Sequence, residues 1–186
     1  MRVMKRDGVR AATTRAITAE AEMPHGAFHY CFNSKHELIR EIFQADADSA
    51  LAAAVAALDE SVDERADLRA CLQRALAAFW SQTVADREGQ VVLAELSSLA
   101  LREEALRELR TGQVEVYVSR LGEGLQLLAR RTGTAWIVEA RVLGAFVVSA
   151  LMGITESWLA LGDEADPKGQ LELLADGVAR QAHPGS

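Results

Sequence analysis

Apolar side chains recur along most of this chain every three or four residues, which is the spacing of one face of an α-helix. Ile39, Phe43 and Ala47 illustrate this spacing. Abundant Ala and Leu, with only 3 Pro and 5% aromatic residues, also favour helix over strand. After a short first helix within residues 1–7, the pattern predicts helices at about 13–21, 24–31, 35–58, 61–86, 90–101, 103–131, 134–161 and 167–180. The chain is therefore predicted to be all-α.

Capping residues mark several of the predicted helix ends. Ser34 and Glu37 form a capping box in front of the long helix that starts near Lys35, and Ser61 with Glu64 repeats the pattern. Thr13 and Asp166 are predicted N-caps of two further helices, because a short oxygen-bearing side chain can accept a hydrogen bond from the first helical turn. The residues that follow Arg180 are predicted to be disordered.

A break separates the two short helices near the start of the chain. Glu22, Met23 and Pro24 are expected to form a tight turn, and Pro24 suits the first position of the second short helix, where a missing N–H costs nothing. Two short helices joined by a tight turn are what a helix-turn-helix requires. The pattern alone is weak evidence, since any helical hairpin shows it.

The charge is unevenly distributed along the chain. The net charge of -7 argues against nucleic-acid binding, which depends on Lys and Arg. Residues 1–40, however, contain seven Lys and Arg against four Asp and Glu, so this segment carries +3 and the rest of the chain carries -10. Three of the 4 His also lie in the first segment. The distribution indicates a basic head on an acidic body.

Other classes of protein find little support in the sequence. No uninterrupted apolar run is long enough to span a bilayer and no signal peptide is evident, so a cytoplasmic location is expected. Cys31 and Cys71 are interpreted as buried thiols. Glu22 and His25 have the spacing of a di-iron helix motif, but Pro24 lies between them and no second copy exists. No enzyme motif is found. We therefore expect neither catalysis, nor a metal, nor a cofactor.

The residues of the basic head match a family pattern. The matching positions are Gly8-Val9-Arg10, Thr13-Thr14-Arg15-Ala16-Ile17, Ala21, Met23-Pro24-His25-Gly26-Ala27-Phe28-His29-Tyr30-Cys31-Phe32, Asn33-Ser34-Lys35 and Leu38. This run resembles the DNA-binding domain of the TetR family of repressors over about residues 3–43. The acidic body is similar to the family's ligand-binding and dimerisation domain mainly in its layout of helices.

The resemblance implies a role for each matching position. The DNA-binding residues would be Thr14, Arg15, Pro24, His25, Gly26, Ala27, His29, Tyr30 and Lys35. Of these, His25, Gly26 and Ala27 would face the bases, and most of the others would lie near phosphates. Phe28 and Phe32 would face inward. This sequence differs from the family pattern in its short first helix, in Pro24 where Ser or Thr is usual, and in Glu22 where a turn glycine is usual.

Three domains follow from this reading: a helix-turn-helix head at 1–45, a ligand-binding and dimerisation body at 46–182, and a tail at 183–186. The helix predicted at 134–161 is apolar nearly all round, so it can face its own core on one side and a partner on the other, or lie at the centre of a monomeric bundle. The residues assigned to a homodimer interface are Val147, Leu151, Ile154, Trp158, Leu171, Leu174 and Val178. Those assigned to an effector cavity are Phe79, Trp80, Glu95, Tyr117, Phe146 and Trp158.

The sequence thus predicts a ligand-responsive regulator that binds double-stranded DNA. The expected partners are a palindromic operator, a second copy of the chain and a small, largely apolar effector that releases the repressor. The alternative is a helical dimeric module that binds a small molecule or a protein and no longer binds DNA. The short first helix is the feature that favours this alternative.

Overall fold

The computed structural model describes residues 1–59 and 67–185, with the backbone alone for residues 50, 51 and 53–59. Helices dominate these residues, which confirms the all-α prediction. The elements are α1 Arg2–Asp7, α2 Thr14–Glu20, α3 Ala27–Cys31, α4 Lys35–Asp59, α5 Leu68–Ala85, α6 Arg87–Ala100, α7 Glu104–Thr132, β1 Thr134–Trp136, α8 Ala140–Leu161, a 3₁₀ turn Gly162–Ala165, α9 Pro167–Ala179 and β2 Ala182–Pro184.

The chain forms two compact units, each with its own core. The first unit contains residues 1–46 and 86–113, and the second contains 47–85 and 114–186. The first unit therefore includes α6 and the start of α7 in addition to the segment that the sequence assigns to the head. The predicted boundary after residue 45 stays a prediction.

The core of the first unit joins α1, α4 and α6. Although α1 has only 6 residues, it buries both of its apolar side chains there. The buried members are Val3, Met4, Val9, Ala12, Ile39, Ile42, Phe43, Val92, Leu96, Ala100 and Leu106. The short first helix thus buries both apolar side chains in a core to which α6, beyond the first 45 residues, contributes Val92, Leu96 and Ala100.

The core of the second unit joins α5, α7, α8 and α9. Its buried members are Leu68, Cys71, Leu72, Leu76, Leu125, Leu128, Leu143, Val147, Leu151, Ile154, Leu171, Leu174, Ala175 and Val178. The burial of Cys71 confirms the prediction for that thiol. On the surface, Arg69 on α5 donates to Asp176 on α9 over 2.6 Å and thereby lowers the pKa of that carboxyl.

Local capping was predicted well. Thr13 accepts a hydrogen bond from Ala16 N at 3.1 Å, and Asp166 accepts one from Gly169 N at 3.1 Å. Ser34 accepts from Glu37 N at 3.2 Å, as the capping box requires. The predicted box at Ser61 and Glu64 lies outside the described residues. Within them, α5 begins at Leu68, and the preceding residue, Asp67, accepts from Ala70 N at 3.3 Å.

A short two-stranded sheet replaces the predicted start of the helix at 134–161. Thr134 pairs with Pro184 and Trp136 with Ala182 in antiparallel register. Gly133, at φ +63°, ends α7 in a conformation that favours glycine, and the Trp136 indole N–H donates to Leu125 O at 2.9 Å. The helical prediction for residues 134–139 was wrong, and so was the predicted disorder of residues 181–185, because the two segments form backbone hydrogen bonds with each other.

The α8 helix buries one face in its own unit. All seven residues that the sequence assigned to a dimer interface have 9% exposure or less, among them Trp158 at 8% and Leu151 at 9%. Different apolar residues of α8 and α9 are exposed, with fractions between 42% and 70%: Val142, Phe146, Met152, Leu161 and Leu173. The periodic pattern was right about two apolar faces, but the assigned residues belong to the internal one.

Residues 140–165 are long and apolar enough to cross a membrane by length and composition, which the sequence had not led us to expect. The core helix of a globular protein can reach the same hydropathy, because a helix that is buried on several sides carries few charged residues. Leu143 and Ile154 of this segment pack in the core described above.

Glycines allow α7 and α8 to approach closely. A Cβ added at Gly144 would lie 3.0 Å from Val118 O and 3.2 Å from Gly122 N. Both neighbours are backbone atoms, which cannot move aside as a side-chain end can. The packing of α8 against α7 thus depends on the absence of a side chain at Gly144.

We predict that Gly144→Ala destabilises the second unit by about 1–3 kcal/mol, because the added methyl forces the helices apart. Urea denaturation followed by tryptophan emission measures this, since Trp80, Trp136 and Trp158 all lie in that unit. Gly124→Ala is the matched control, because a Cβ there meets nothing within 4 Å. The control should be neutral or more stable by up to about 1 kcal/mol. Equal stability of the two variants would contradict the close contact.

Candidate nucleic-acid interface

The turn between α2 and α3 is held by backbone hydrogen bonds. Glu22 N donates to Ala19 O at 3.1 Å, and Met23 N donates to Thr18 O at 2.9 Å. The Thr18 side chain is buried, and its hydroxyl donates to Thr14 O or Arg15 O at 3.1 Å. The two short helices are therefore joined by a defined turn.

The α3 helix is shorter than predicted. It starts at Ala27, because residues Pro24 to Gly26 form a turn in which Ala27 N donates to Pro24 O at 2.9 Å. Phe28 is its one buried side chain within the described structure. Cys31 is exposed, so the predicted burial of that thiol was wrong. A helix of 5 residues has room for only one inward position here.

The outward side of this helix is polar and open. Tyr30 is 93% exposed, and His29 beside it is exposed as well. The Phe28 ring contacts the Phe32 ring with centroids 5.6 Å apart and the His29 ring, in a T-shaped arrangement, with centroids 5.5 Å apart. Phe28 thus faces inward as predicted, while Phe32 is half-buried.

All nine predicted DNA-binding residues lie in the first unit, on α2, α3, the turn between them and the first turn of α4. Six are exposed, and Thr14, Ala27 and Lys35 are half-buried. The exposed six are Arg15, Pro24, His25, Gly26, His29 and Tyr30.

The start of α4 contains a bond that the sequence did not reveal. Lys35 Nζ donates to Val9 O at 2.9 Å, so this ammonium group joins α4 to the connection between α1 and α2. Glu37 accepts from both Asn33 N at 2.6 Å and Asn33 Nδ2 at 2.9 Å. The carboxylate therefore reaches one residue further back than a standard capping box.

Ion pairs attach α1 to its neighbours. Arg2 and Arg6 each donate to Glu20 over 2.8 Å, and the hydrogen bond from Arg6, followed by that from Arg2, lowers the pKa of Glu20. Lys5 donates to Asp86 over 2.6 Å and thereby lowers the pKa of this carboxyl. A carboxyl with a lowered pKa stabilises the fold above its unfolded pKa. That contribution disappears as the pH falls through its folded pKa.

The six predicted effector residues are not all in one place. Trp80 and Trp158 meet edge to face with centroids 5.4 Å apart, and Phe79 and Tyr117 are half-buried in the same unit. Phe146, by contrast, is 55% exposed. Glu95 lies in the first unit, where its carboxylate accepts from Val9 N at 3.0 Å.

The described residues contain no group of His, Cys, Asp and Glu that could hold a metal ion.

The candidate site is the polar, solvent-facing surface around α3. Its chemistry consists of cations, hydroxyls and imidazoles, which suit hydrogen bonding to phosphates and base edges.

Comparison with known proteins points to one family. Residues 1–42 match the model for bacterial regulatory proteins of the tetR family. The nicotine-responsive transcriptional repressor HdnoR of Paenarthrobacter nicotinovorans is 29% identical over 168 residues, which cover 90% of this chain and 82% of that protein.

Solved structures show the same fold at low identity. A TetR-type regulator from Rhodococcus sp. has a TM-score of 0.77 at 20% identity, with 95% of this chain and 92% of that chain covered. Salmonella enterica GusR has a TM-score of 0.75 at 16% identity, with 96% and 90% covered.

The turn before α3 contains a strained residue. Glu22 has φ +56°, a left-handed backbone conformation that residues other than glycine rarely adopt. Asp166, at φ +47°, shares this feature, but its side chain caps α9.

We predict that Glu22→Gly is more stable than Glu22→Ala by about 0.5–1 kcal/mol, because only glycine relieves the strain of the left-handed turn. Thermal denaturation followed by far-UV circular dichroism compares the two variants. Both remove the same charge, so their difference reports the backbone alone. Equal melting temperatures would show that the turn is not strained at this position.

Proposed function

We propose that this chain is a cytoplasmic repressor of the TetR family of bacterial transcriptional regulators and that it binds a palindromic operator as a homodimer. A small, largely apolar effector would release it. The observation that carries the DNA-binding part is the polar side of α3, where Tyr30 is 93% exposed while Phe28 on the opposite side is buried. An exposed polar face on a braced second helix is what enters a major groove.

Gly26 supports the same reading. A Cβ at this position would meet nothing within 4 Å, and the backbone is right-handed at φ -66°. The protein's own packing therefore does not require glycine here. We propose that a close approach to DNA does, and that His25 and Ala27 on either side contact base edges, the latter through a thymine methyl group.

Phosphate contacts are proposed around this base-reading segment. Thr14 and Arg15 lie at the start of α2, and the Arg15 guanidinium is exposed. His29 and Tyr30 can donate from α3. Lys35 already donates to Val9 O, but an ammonium group has three donors, so it can also face a phosphate.

A second copy of the chain is the proposed occupant of the exposed apolar face of α8. Val142, Phe146, Ser149 and Gly153 follow one another at helical spacing on that face and are all exposed. The small residues Ser149 and Gly153 would let a partner helix approach closely, and exposed Leu173 on α9 adds apolar area. Two identical faces related by a two-fold axis would give a dimer with two DNA-binding heads, the number that a palindromic operator requires.

The effector is proposed to bind in the second unit near the Trp80–Trp158 pair, with Phe79 and Tyr117 as further aromatic residues. Side chains of this type suit an apolar or aromatic molecule. The similarity to a nicotine-responsive repressor makes nicotine a reasonable first probe. An effector that prefers the state with low DNA affinity would release the operator by population shift.

We predict that the protein binds DNA from upstream of its own gene more tightly than scrambled DNA, with an affinity that falls steeply as salt rises. Arg15→Ala should weaken binding to both DNAs and reduce the slope of log affinity against log salt by about one. Fluorescence anisotropy at several salt concentrations measures both effects.

The control for this experiment is Arg130→Ala, which makes the same charge change at an exposed site in the second unit and should leave the slope unchanged. Equal, weak binding of wild-type protein to both DNAs would instead support a dimeric module without DNA binding. Adding nicotine to the complex tests the effector class, and release of the DNA is the expected result.

We further predict that Phe146→Glu weakens dimerisation at least about tenfold, because it places a charge in the centre of the proposed apolar interface. Sedimentation equilibrium measures the dimer dissociation constant. Leu101→Glu is the control, since this residue is 77% exposed but lies in the first unit. A Phe146→Glu protein that stays as dimeric as the control would place the interface elsewhere.

A further inference from the structure

Charged side chains from two helices hold the backbone of Val9 on both sides. Its N–H donates to Glu95 Oε2 on α6 at 3.0 Å, and its carbonyl accepts from Lys35 Nζ on α4 at 2.9 Å. The Val9 side chain is 2% exposed. We call this arrangement of Glu95, Val9 and Lys35 the Val9 clamp.

Two core residues flank the carboxylate of the clamp along α6. Glu95 lies between Val92, at 1% exposure, and Leu96, at 0%, both of which pack in the core of the first unit with Val9. Its bond to Val9 is charge-assisted, and such bonds are shorter and stronger than neutral ones. It also satisfies a backbone N–H next to a buried side chain, which would otherwise be costly.

A second contact anchors the same segment to α6. Lys5 donates to Asp86, and Asp86 is itself fixed because it accepts from Gly89 N at 3.0 Å as the N-cap of α6. The N-cap of α6 and a residue within α6 therefore bind the two ends of the segment from Lys5 to Val9.

The clamp lies just before the proposed DNA-binding surface. Gly8, at φ +84°, turns the chain out of α1, and Ala12 N donates to the same Val9 carbonyl at 3.3 Å. Thr13, the N-cap of α2, follows directly. The Val9 carbonyl is thus bonded to the residue that directly precedes the N-cap of α2.

We propose that Glu95 is a positioning residue for DNA binding: by holding the Val9 amide, it fixes the start of α2, where Thr14 and Arg15 would face phosphates. This inference rests on the proposed DNA-binding function. It replaces the sequence-based assignment of Glu95 to an effector cavity with a role in the first unit.

The test compares Glu95→Gln, which keeps an oxygen acceptor of the same reach, with Glu95→Leu, which keeps the size and removes the acceptor. Anisotropy at fixed salt should show DNA affinity within about threefold of wild type for Glu95→Gln and about tenfold or more weaker for Glu95→Leu. Glu88→Leu, an exposed change on the same helix, should bind like wild type.

A second measurement reports the clamp without DNA. Trypsin should cleave after exposed Arg10 at least about tenfold faster in Glu95→Leu than in wild type, because a segment that opens locally is cut in proportion to its open population. Tryptophan emission should show unchanged unfolding of the second unit, which contains all 3 Trp. That result separates a local effect from a general loss of fold.

The outcomes separate three claims: the existence of the clamp, the positioning role of Glu95 and the proposed DNA binding. Wild-type cleavage of Glu95→Leu would overturn the clamp. Faster cleavage with unchanged DNA affinity would overturn the positioning role, and so would equal losses in the Gln and Leu variants. If the wild type does not prefer its upstream DNA, the proposed function fails and the positioning role fails with it, whereas the cleavage rates still show whether the clamp exists.

Discussion

A helix of five residues such as α3 is not stable in isolation, so everything that its surface does depends on the burial of Phe28. That single inward side chain, together with the hydrogen-bonded turn before it, orients Tyr30 and His29 toward solvent. The stability of the polar surface therefore comes from the rest of the first unit.

The first unit is not a simple N-terminal segment. Val92 and Leu96 of α6 pack with Val3, Met4 and Val9. Asp86 binds Lys5 of α1, and Glu95 binds Val9 in the connection between α1 and α2. The short first helix is compensated by this contribution from residues 86–113. A family model that matches residues 1–42 thus covers the residues proposed to contact DNA but only part of the unit that holds them.

Local signals in the sequence predicted local structure well. Thr13, Ser34 and Asp166 cap helices as expected, because a cap needs only its own side chain and the next helical turn. The error at Cys31 came from the turn before α3, which takes up three residues that the periodicity had assigned to helix. The polar residues around α3 were found by family resemblance, since periodicity alone could not distinguish them from any exposed face.

Non-local contacts were missed for a physical reason. The pairing of β1 with β2 joins segments about fifty residues apart, and Trp136 fits the helical rhythm of the residues that follow it. Periodicity also could not tell which apolar face of α8 is internal, because both faces carry large side chains. Glu95 looked like a polar group for a cavity, and only the fold shows that its partner is the Val9 amide.

DNase I footprinting of the region upstream of the gene with wild-type protein shows whether the chain binds an operator as a dimer. A dimer with paired helix-turn-helix heads should protect two symmetric half-sites whose centres are about 10 base pairs apart, or a multiple of this distance. We expect such a footprint at protein concentrations that leave flanking DNA open to cleavage. Uniform cleavage at every concentration, or protection without sequence preference, would contradict it.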